Sequence, residues 1–154
     1  MISMGATAFF LFTSIIAHSP VTHNSENDLI CMAHAIYFEA GNQDYDGKVA
    51  VASVIMNRVE GKGYPDSICG VVTQRHQFSY LLDDSKHHLQ IKNKIDRQAF
   101  NESVRIGYHV AEGRLYDNTE GATHYYAQKL VTPHWTSHID NAKIIEDHTF
   151  ISLR

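Results

Sequence analysis

Apolar positions repeat with a helical period between Glu26 and Ala40, and Gly41 is placed to stop that helix. Ser25 stands as its N-cap, with Asp28 in the capping-box position three residues on. Asn42 to Asp46 reads as a turn. A second helix is expected from Gly47 to Glu60, where Val49, Ala50, Val51, Ala52, Val54, Ile55, Met56 and Val59 leave almost no polar side. A helix apolar nearly all round belongs in the centre of a core. A short helical turn follows over Tyr64 to Val72, and Gln74 to Leu82 reads as extended or loop-like. Asp83 to Lys94 is a polar stretch. A third long helix is expected over Asn93 to Glu112, with Phe100, Val104, Tyr108 and Ala111 on its apolar face and Gly113 as its stop. Thr123 to Ala127 and His148 to Ser152 are rich in β-branched and aromatic residues and read as short strands. Pro133 to Thr136 reads as a loop or turn. Helices first and strands later predict an α+β fold, helix-rich with a small β-sheet.

One polar position stands out from this pattern. Glu39 follows Ile36 by three residues and Met32 by seven, so it shares their helical face. A carboxyl group there is partly desolvated and sits at the negative end of the helix dipole. Both effects favour the form that keeps its proton, which is the form a general acid needs. A frayed-end carboxylate or a structural ion pair accounts for the same pattern when it is taken alone.

The 154 residues fit one compact domain. A preceding arm, residues 1–24, is separated from a domain over 25–154. With 44% hydrophobic and 19% charged residues the chain has an ordinary globular balance. A formal net charge of -4 argues against a nucleic-acid partner, because phosphate binding wants a basic surface. Gly5 to Ala17 is an apolar run too short for a stable membrane span, which needs about 20 residues. It has the length of a signal-peptide core but lacks a basic start, so export competes with a first helix or arm of the mature domain. Two cysteines, Cys31 and Cys69, are compatible with two buried thiols or with one disulfide, the latter contributing roughly 2–4 kcal/mol in an oxidising compartment.

Eleven histidines raise the question of a metal. His134 and His138 have a four-residue spacing, but no His-Glu-x-x-His and no third ligand accompanies them, so no metal and no cofactor is expected. His124 and His148 fall in expected strands as structural or cleft residues. No Gly-x-Ser-x-Gly and no phosphate loop occurs. Tyr125, Tyr126, Trp135, Phe78 and Tyr80, interleaved with Gln77, Ser79, Thr123 and His124, suit either a core or a sugar-binding groove.

Several segments in order resemble one family. They are Ala33-His-Ala-Ile-Tyr-Phe-Glu-Ala-Gly41, Gly47-Lys-Val-Ala-Val-Ala-Ser-Val-Ile-Met-Asn-Arg-Val59, Tyr64-Pro-Asp-Ser-Ile-Cys-Gly-Val-Val72, Gln77-Phe-Ser79, Gly121-Ala-Thr-His-Tyr-Tyr126 with Trp135, and Asp147-His-Thr-Phe150. Together they make residues 28 to 151 similar to the cell wall hydrolases of the spore-cortex-lytic-enzyme class, the SleB/CwlJ type. The resemblance implies a lysozyme-like domain related to lytic transglycosylases and acting on the glycan strand of peptidoglycan. It implies Glu39 as the catalytic carboxylate. It also implies a Cys31–Cys69 disulfide, since related exported proteins carry cysteines at these positions. The chain departs from the family where Glu-Ala-Arg-Gly-Glu is usual: Ala40-Gly41-Asn42-Gln43 lacks the Arg and the second acid, and Lys48 stands where Gln is common.

Glycosidases usually flank the scissile bond with two carboxylates. Asp44, Asp46, Asp83, Asp117 and Glu120 qualify only by type, so a single-acid mechanism is expected, with Gln77, Ser79, Thr123, His124 and Tyr125 positioning the sugar or the carboxyl. The expectation is a monomeric enzyme cutting between MurNAc and GlcNAc, exported to the periplasm or cell wall, or else a phage lysis or virion protein. A hydrolytic muramidase, a non-catalytic peptidoglycan-binding module and a metal-dependent amidase are the rivals.

Overall fold

The computed structural model describes residues 26–75, 77–78, 90–128 and 142–152. Four helices precede three strands: α1 (Glu26–Ala40), α2 (Tyr45–Glu60), α3 (Ile68–Val72), α4 (Lys94–Ala111), β1 (His124–Ala127), β2 (Ala142–Ile145) and β3 (His148–Ile151). The helix-rich α+β expectation holds. The expected arm over 1–24, Ser25, Ser79, the polar stretch through residue 89, Trp135, His134 and His138 lie outside the described residues.

α2 is the central helix that its composition predicts. Its side chains from Gly47 to Met56 are all buried, and even Lys48, Ser53 and Arg58 are less than a tenth exposed. One side packs with Met32 and Ile36 of α1, Ile68 and Val71 of α3, and Ile106 of α4 in the main core. The other side sets Ala50 and Val54 against Ala122 and Phe150 in a second cluster beneath the sheet. α2 begins two residues earlier than expected, at Tyr45, with Asp44 in an extended cap conformation.

α4 corrects the expected apolar face. Its buried residues are Ser103, Ile106, Gly107 and Val110, whereas Val104 is 40% exposed. The reason is steric. A Cβ on Gly107 would stand 2.8 Å from Met32 Cγ and 3.4 Å from Ile36 Cδ1. α4 therefore approaches α1 along a stripe of small residues that no hydrophobic count registers.

Cys31 and Cys69 form a disulfide joining α1 to α3, with Cα atoms 5.3 Å apart and a sequence separation of 38. A loop of that length corresponds to about 4 kcal/mol in the chain-entropy model. Asp28, expected to cap α1, accepts the Cys69 backbone N–H at 2.8 Å and reinforces the same junction.

The strands form one antiparallel sheet in the order β1-β3-β2. Tyr125 lies opposite Phe150, and Ile145 opposite His148. β2 is an unexpected element. It is an edge strand whose burial alternates, with Ile144 63% exposed, so little hydrophobic signal marks it. A two-residue connection, Glu146 and Asp147, joins it to β3, and Glu146 takes a left-handed conformation at φ 53°.

The close α1–α4 contact gives a direct test. Gly107→Val should destabilise the protein by about 1–3 kcal/mol through overpacking. Val104→Ala on the exposed side of the same helix should cost well under that. Urea unfolding of the two variants measures the difference, and equal costs would contradict this packing.

Candidate functional site

The site is built where the last turn of α1 faces the sheet. Glu39 sits there half-buried, on the face that also carries the fully buried Met32 and Ile36. The turn after it is clamped to the β2–β3 connection. Gln43 is buried, its Nε2 donates to Asp147 Oδ2 at 3.4 Å, and its Oε1 lies 3.5 Å from the Asp147 backbone N–H. The Asp44 backbone N–H donates to Glu146 Oε2 at 3.1 Å. These bonds fix the end of α1 relative to the start of β3. They also account for one departure from the family pattern, since an amide at position 43 can donate to Asp147 where a second carboxylate would repel it. Lys48, the other departure, is buried and ion-paired with Glu102 of α4 at 2.5 Å.

Glu39 exerts the largest charge effect on His148 of β3. His148 is only 8% exposed, and its Nδ1 finds no hydrogen-bond partner among the described residues. Burial lowers its pKa, while the charges of Glu39, Asp147 and Glu146 act the other way and are outweighed. The His148 ring packs edge-on to Tyr125 at 5.4 Å, and Tyr125 stacks on Phe150 at 5.6 Å.

The next residues of β1 are held by α2. Arg58, 3% exposed, donates from Nε to the Thr123 carbonyl at 2.7 Å. Its guanidinium carbon lies 5.9 Å from the Tyr64 ring centre and 5.7 Å from that of Phe78. Burial pulls its pKa down, and Tyr125 and Tyr64 oppose that. Thr123 Oγ1 lies 2.9 Å from His124 Nδ1. Burial, and then the charge of Arg58, lower the pKa of His124. Asn57, one residue before, donates from Nδ2 to the Ala122 carbonyl and to Asp117 Oδ2, both at 3.0 Å. Asp117 also receives the backbone N–H groups of Thr119 and Gly121 at 2.8 Å. Burial alone would raise its pKa, but the hydrogen bonds from Thr119, Asn57 and Gly121 together hold it below the usual carboxylate range.

The structure therefore gathers Thr123, just before β1, with His124 and Tyr125 on β1, and it brings His148 of β3 into the field of Glu39. Gln77 is half-buried beside the buried Phe78, which Arg58 links to β1. Two residues with no sequence-based role take part, Arg58 and Asn57, while His148, expected as a structural or cleft residue, lies in the field of Glu39. An Arg within an otherwise apolar helix is the signal that could have found the first. Of the acids considered as partners for Glu39, Asp117 is committed to its loop and Glu120 pairs with Lys143 at 2.7 Å. Asp44 and Asp46 are exposed, and Asp83 lies outside the described residues. Among the described residues no three His, Cys, Asp or Glu side chains group as metal ligands.

The cell wall hydrolase family model matches residues 42–151. The chain belongs to the cell wall hydrolase family. It is 31% identical over 126 residues to a spore cortex-lytic enzyme of Halalkalibacterium halodurans and 29% identical to that of Bacillus subtilis, covering 82% of this chain in each case. It spans only 35% and 38% of those two proteins. Two solved structures share its fold at a TM-score of 0.63 and 29% identity: the catalytic domain of the Bacillus cereus SleB protein, and that of the germination-specific lytic transglycosylase SleB from Bacillus anthracis. The alignments cover 83% and 84% of this chain, and 91% and 97% of those domains. The chain is thus similar to the catalytic domains over nearly their whole length.

The bonds made by Asn57 predict a structural cost. Asn57→Ala removes the donor to a buried loop carbonyl and to Asp117, which should destabilise the fold by about 2–3 kcal/mol at pH 7. Chemical denaturation checks this, and a loss below about 0.5 kcal/mol would contradict it.

Proposed function

We propose that this domain cleaves the glycan strand of peptidoglycan between MurNAc and GlcNAc as a lytic transglycosylase, with Glu39 as both acid and base. The observation that supports the reading is the setting of Glu39: a half-buried carboxyl on the core face of α1, whose charge reaches the buried His148 of β3. Likeness to the named SleB catalytic domains supports the substrate class.

In the first step the Glu39 carboxyl gives its proton to the glycosidic oxygen. The C1–O bond breaks and the GlcNAc hydroxyl leaves. The N-acetyl oxygen of the MurNAc residue stabilises the positive C1. The Glu39 carboxylate then takes the proton of the C6 hydroxyl, and O6 closes on C1 to form the anhydro ring. No water is consumed and Glu39 ends protonated, ready for another cycle. Thr123, His124, Tyr125, Gln77 and Ser79 position the sugar, with aromatic faces against ring faces and amide or hydroxyl groups at ring edges. Arg58 acts on them from behind, through the Thr123 carbonyl.

One observation favours a second reading. Asp147 shares the field of His148 with Glu39, so a hydrolytic muramidase would find its second carboxylate there. Against it, Asp147 is already held by Gln43.

The Cys31–Cys69 disulfide fits an exported protein acting at the cell wall, because such bonds persist in oxidising compartments. No helix among the described residues is long and apolar enough to cross a membrane.

Glu39→Gln keeps the side-chain shape and removes the proton. Release of muropeptides from purified peptidoglycan should fall roughly 100- to 10,000-fold with the melting temperature little changed. A variant that still works at the normal rate would remove Glu39 from this role.

A further inference from the structure

A second concave site lies between the first turn of α2 and the C-terminal half of α4. Its volume is about 440 Å³, and it is lined by Tyr45, Arg105, Ile106, His109, Arg114 and Leu115. Volumes of roughly 300–1,000 Å³ are usual for small-ligand pockets. Neither Glu39 nor any β-strand residue lines it, so it is distinct from the cleavage site.

Local backbone chemistry builds it. Arg105 and His109 stand one turn apart on α4 and share a face. The helix then ends with Gly113 in the left-handed region at φ 66°. The Gly113 N–H donates to the Val110 carbonyl at 2.9 Å, and the Arg114 N–H to the His109 carbonyl at 2.8 Å. This Schellman arrangement folds the chain back and sets Arg114 and Leu115 beside the helix they follow. The Arg114 guanidinium is steadied 5.4 Å from the Tyr108 ring centre and 3.6 Å from Glu112.

The lining has a defined chemical character. Among the described residues it offers two guanidinium groups, that of Arg114 already near Glu112, with an imidazole and a phenol above an apolar floor of buried Ile106 and half-buried Leu115, and no lining residue is a carboxylate. Arg105 and Tyr45 make no hydrogen bond or ion pair among the described residues. This cationic pocket sits on a chain of net charge -4. Guanidinium forks match carboxylates in a bidentate geometry. The apolar floor suits a short aliphatic group next to that carboxylate better than it suits a fully hydrated polyphosphate.

We propose that this pocket binds a carboxylate flanked by a short aliphatic group, as presented by the acidic stem peptides that branch from peptidoglycan. The peptide source rests on the proposed function, whereas the carboxylate chemistry does not. The domain would then read the peptide at one surface while cutting the sugar chain at another, and would favour strands that carry free stem peptides.

The test is direct binding to the full chain carrying Glu39→Gln, so cleavage plays no part in the result. Amide spectra are followed while a purified stem tripeptide, inorganic phosphate or a peptide-free GlcNAc oligomer is added. The expected result is saturable binding of the tripeptide, with shifts centred on Arg105, His109 and Leu115. Affinity should fall about tenfold or more in Arg105→Gln and in Arg114→Gln, as loss of a charged hydrogen bond requires. Tyr45→Phe, which keeps the shape, should weaken it by a smaller factor. Failure of the tripeptide to saturate, equal binding of phosphate, equal shifts with the peptide-free oligomer, or unchanged affinity in both Arg variants would each overturn the proposal. A negative result here leaves glycan cleavage by Glu39 standing, and loss of that activity assignment leaves the binding result standing.

Discussion

Two consecutive side chains, Asn57 and Arg58, join the helical half of this protein to its sheet. Both project from the end of a buried helix, and both spend their donors on main-chain carbonyls at the entry to β1, Ala122 and Thr123. A guanidinium placed 3% exposed in a core is costly unless it is hydrogen-bonded and stacked. Here it has a carbonyl at 2.7 Å and two aromatic rings within 6 Å. These contacts hold the entry to β1 against α2. The loop before β1 is fixed by the same junction through Asp117, whose carboxylate gathers Asn57, Thr119 and Gly121.

The candidate site follows from this constraint. With β1 set, its pairing with β3 places Tyr125 opposite Phe150 and brings His148 against the Tyr125 ring. The clamp between Gln43 or Asp44 and the Glu146–Asp147 connection then sets the end of α1 against β3. Glu39 rides on that end. The disulfide acts two turns earlier on α1, tying it to α3 rather than to the sheet. The site thus rests on two supports, a covalent one in the first half of the helix and a hydrogen-bonded one just past its end. Burial lowers the pKa of both His148 and His124 on this side of the sheet.

Much of this was legible in the sequence, for identifiable reasons. α2 announces itself because full burial leaves an unbroken apolar record. Glu39 does so because a charge on a core face breaks that record. The face of α4 was misread because the contact with α1 depends on the absence of a side chain at Gly107, and hydrophobic periodicity counts only what is present. β2 escaped because an edge strand with alternate residues exposed carries few apolar positions. Arg58 and Asn57 look like the polar end of a helix until the carbonyls of a segment 65 residues away are brought to them. The partner of Cys31 came from family likeness, since spacing left free thiols and a disulfide equally open.

The central claim is that Glu39 performs both proton transfers and that no water enters the bond it breaks. Digestion of purified peptidoglycan in heavy-oxygen water, followed by mass spectrometry of the muropeptides, tests this most directly. The account predicts anhydro-muramyl ends, one water lighter than hydrolysis products and free of heavy oxygen. Reducing muramyl ends carrying the label would contradict it and make the enzyme a hydrolase.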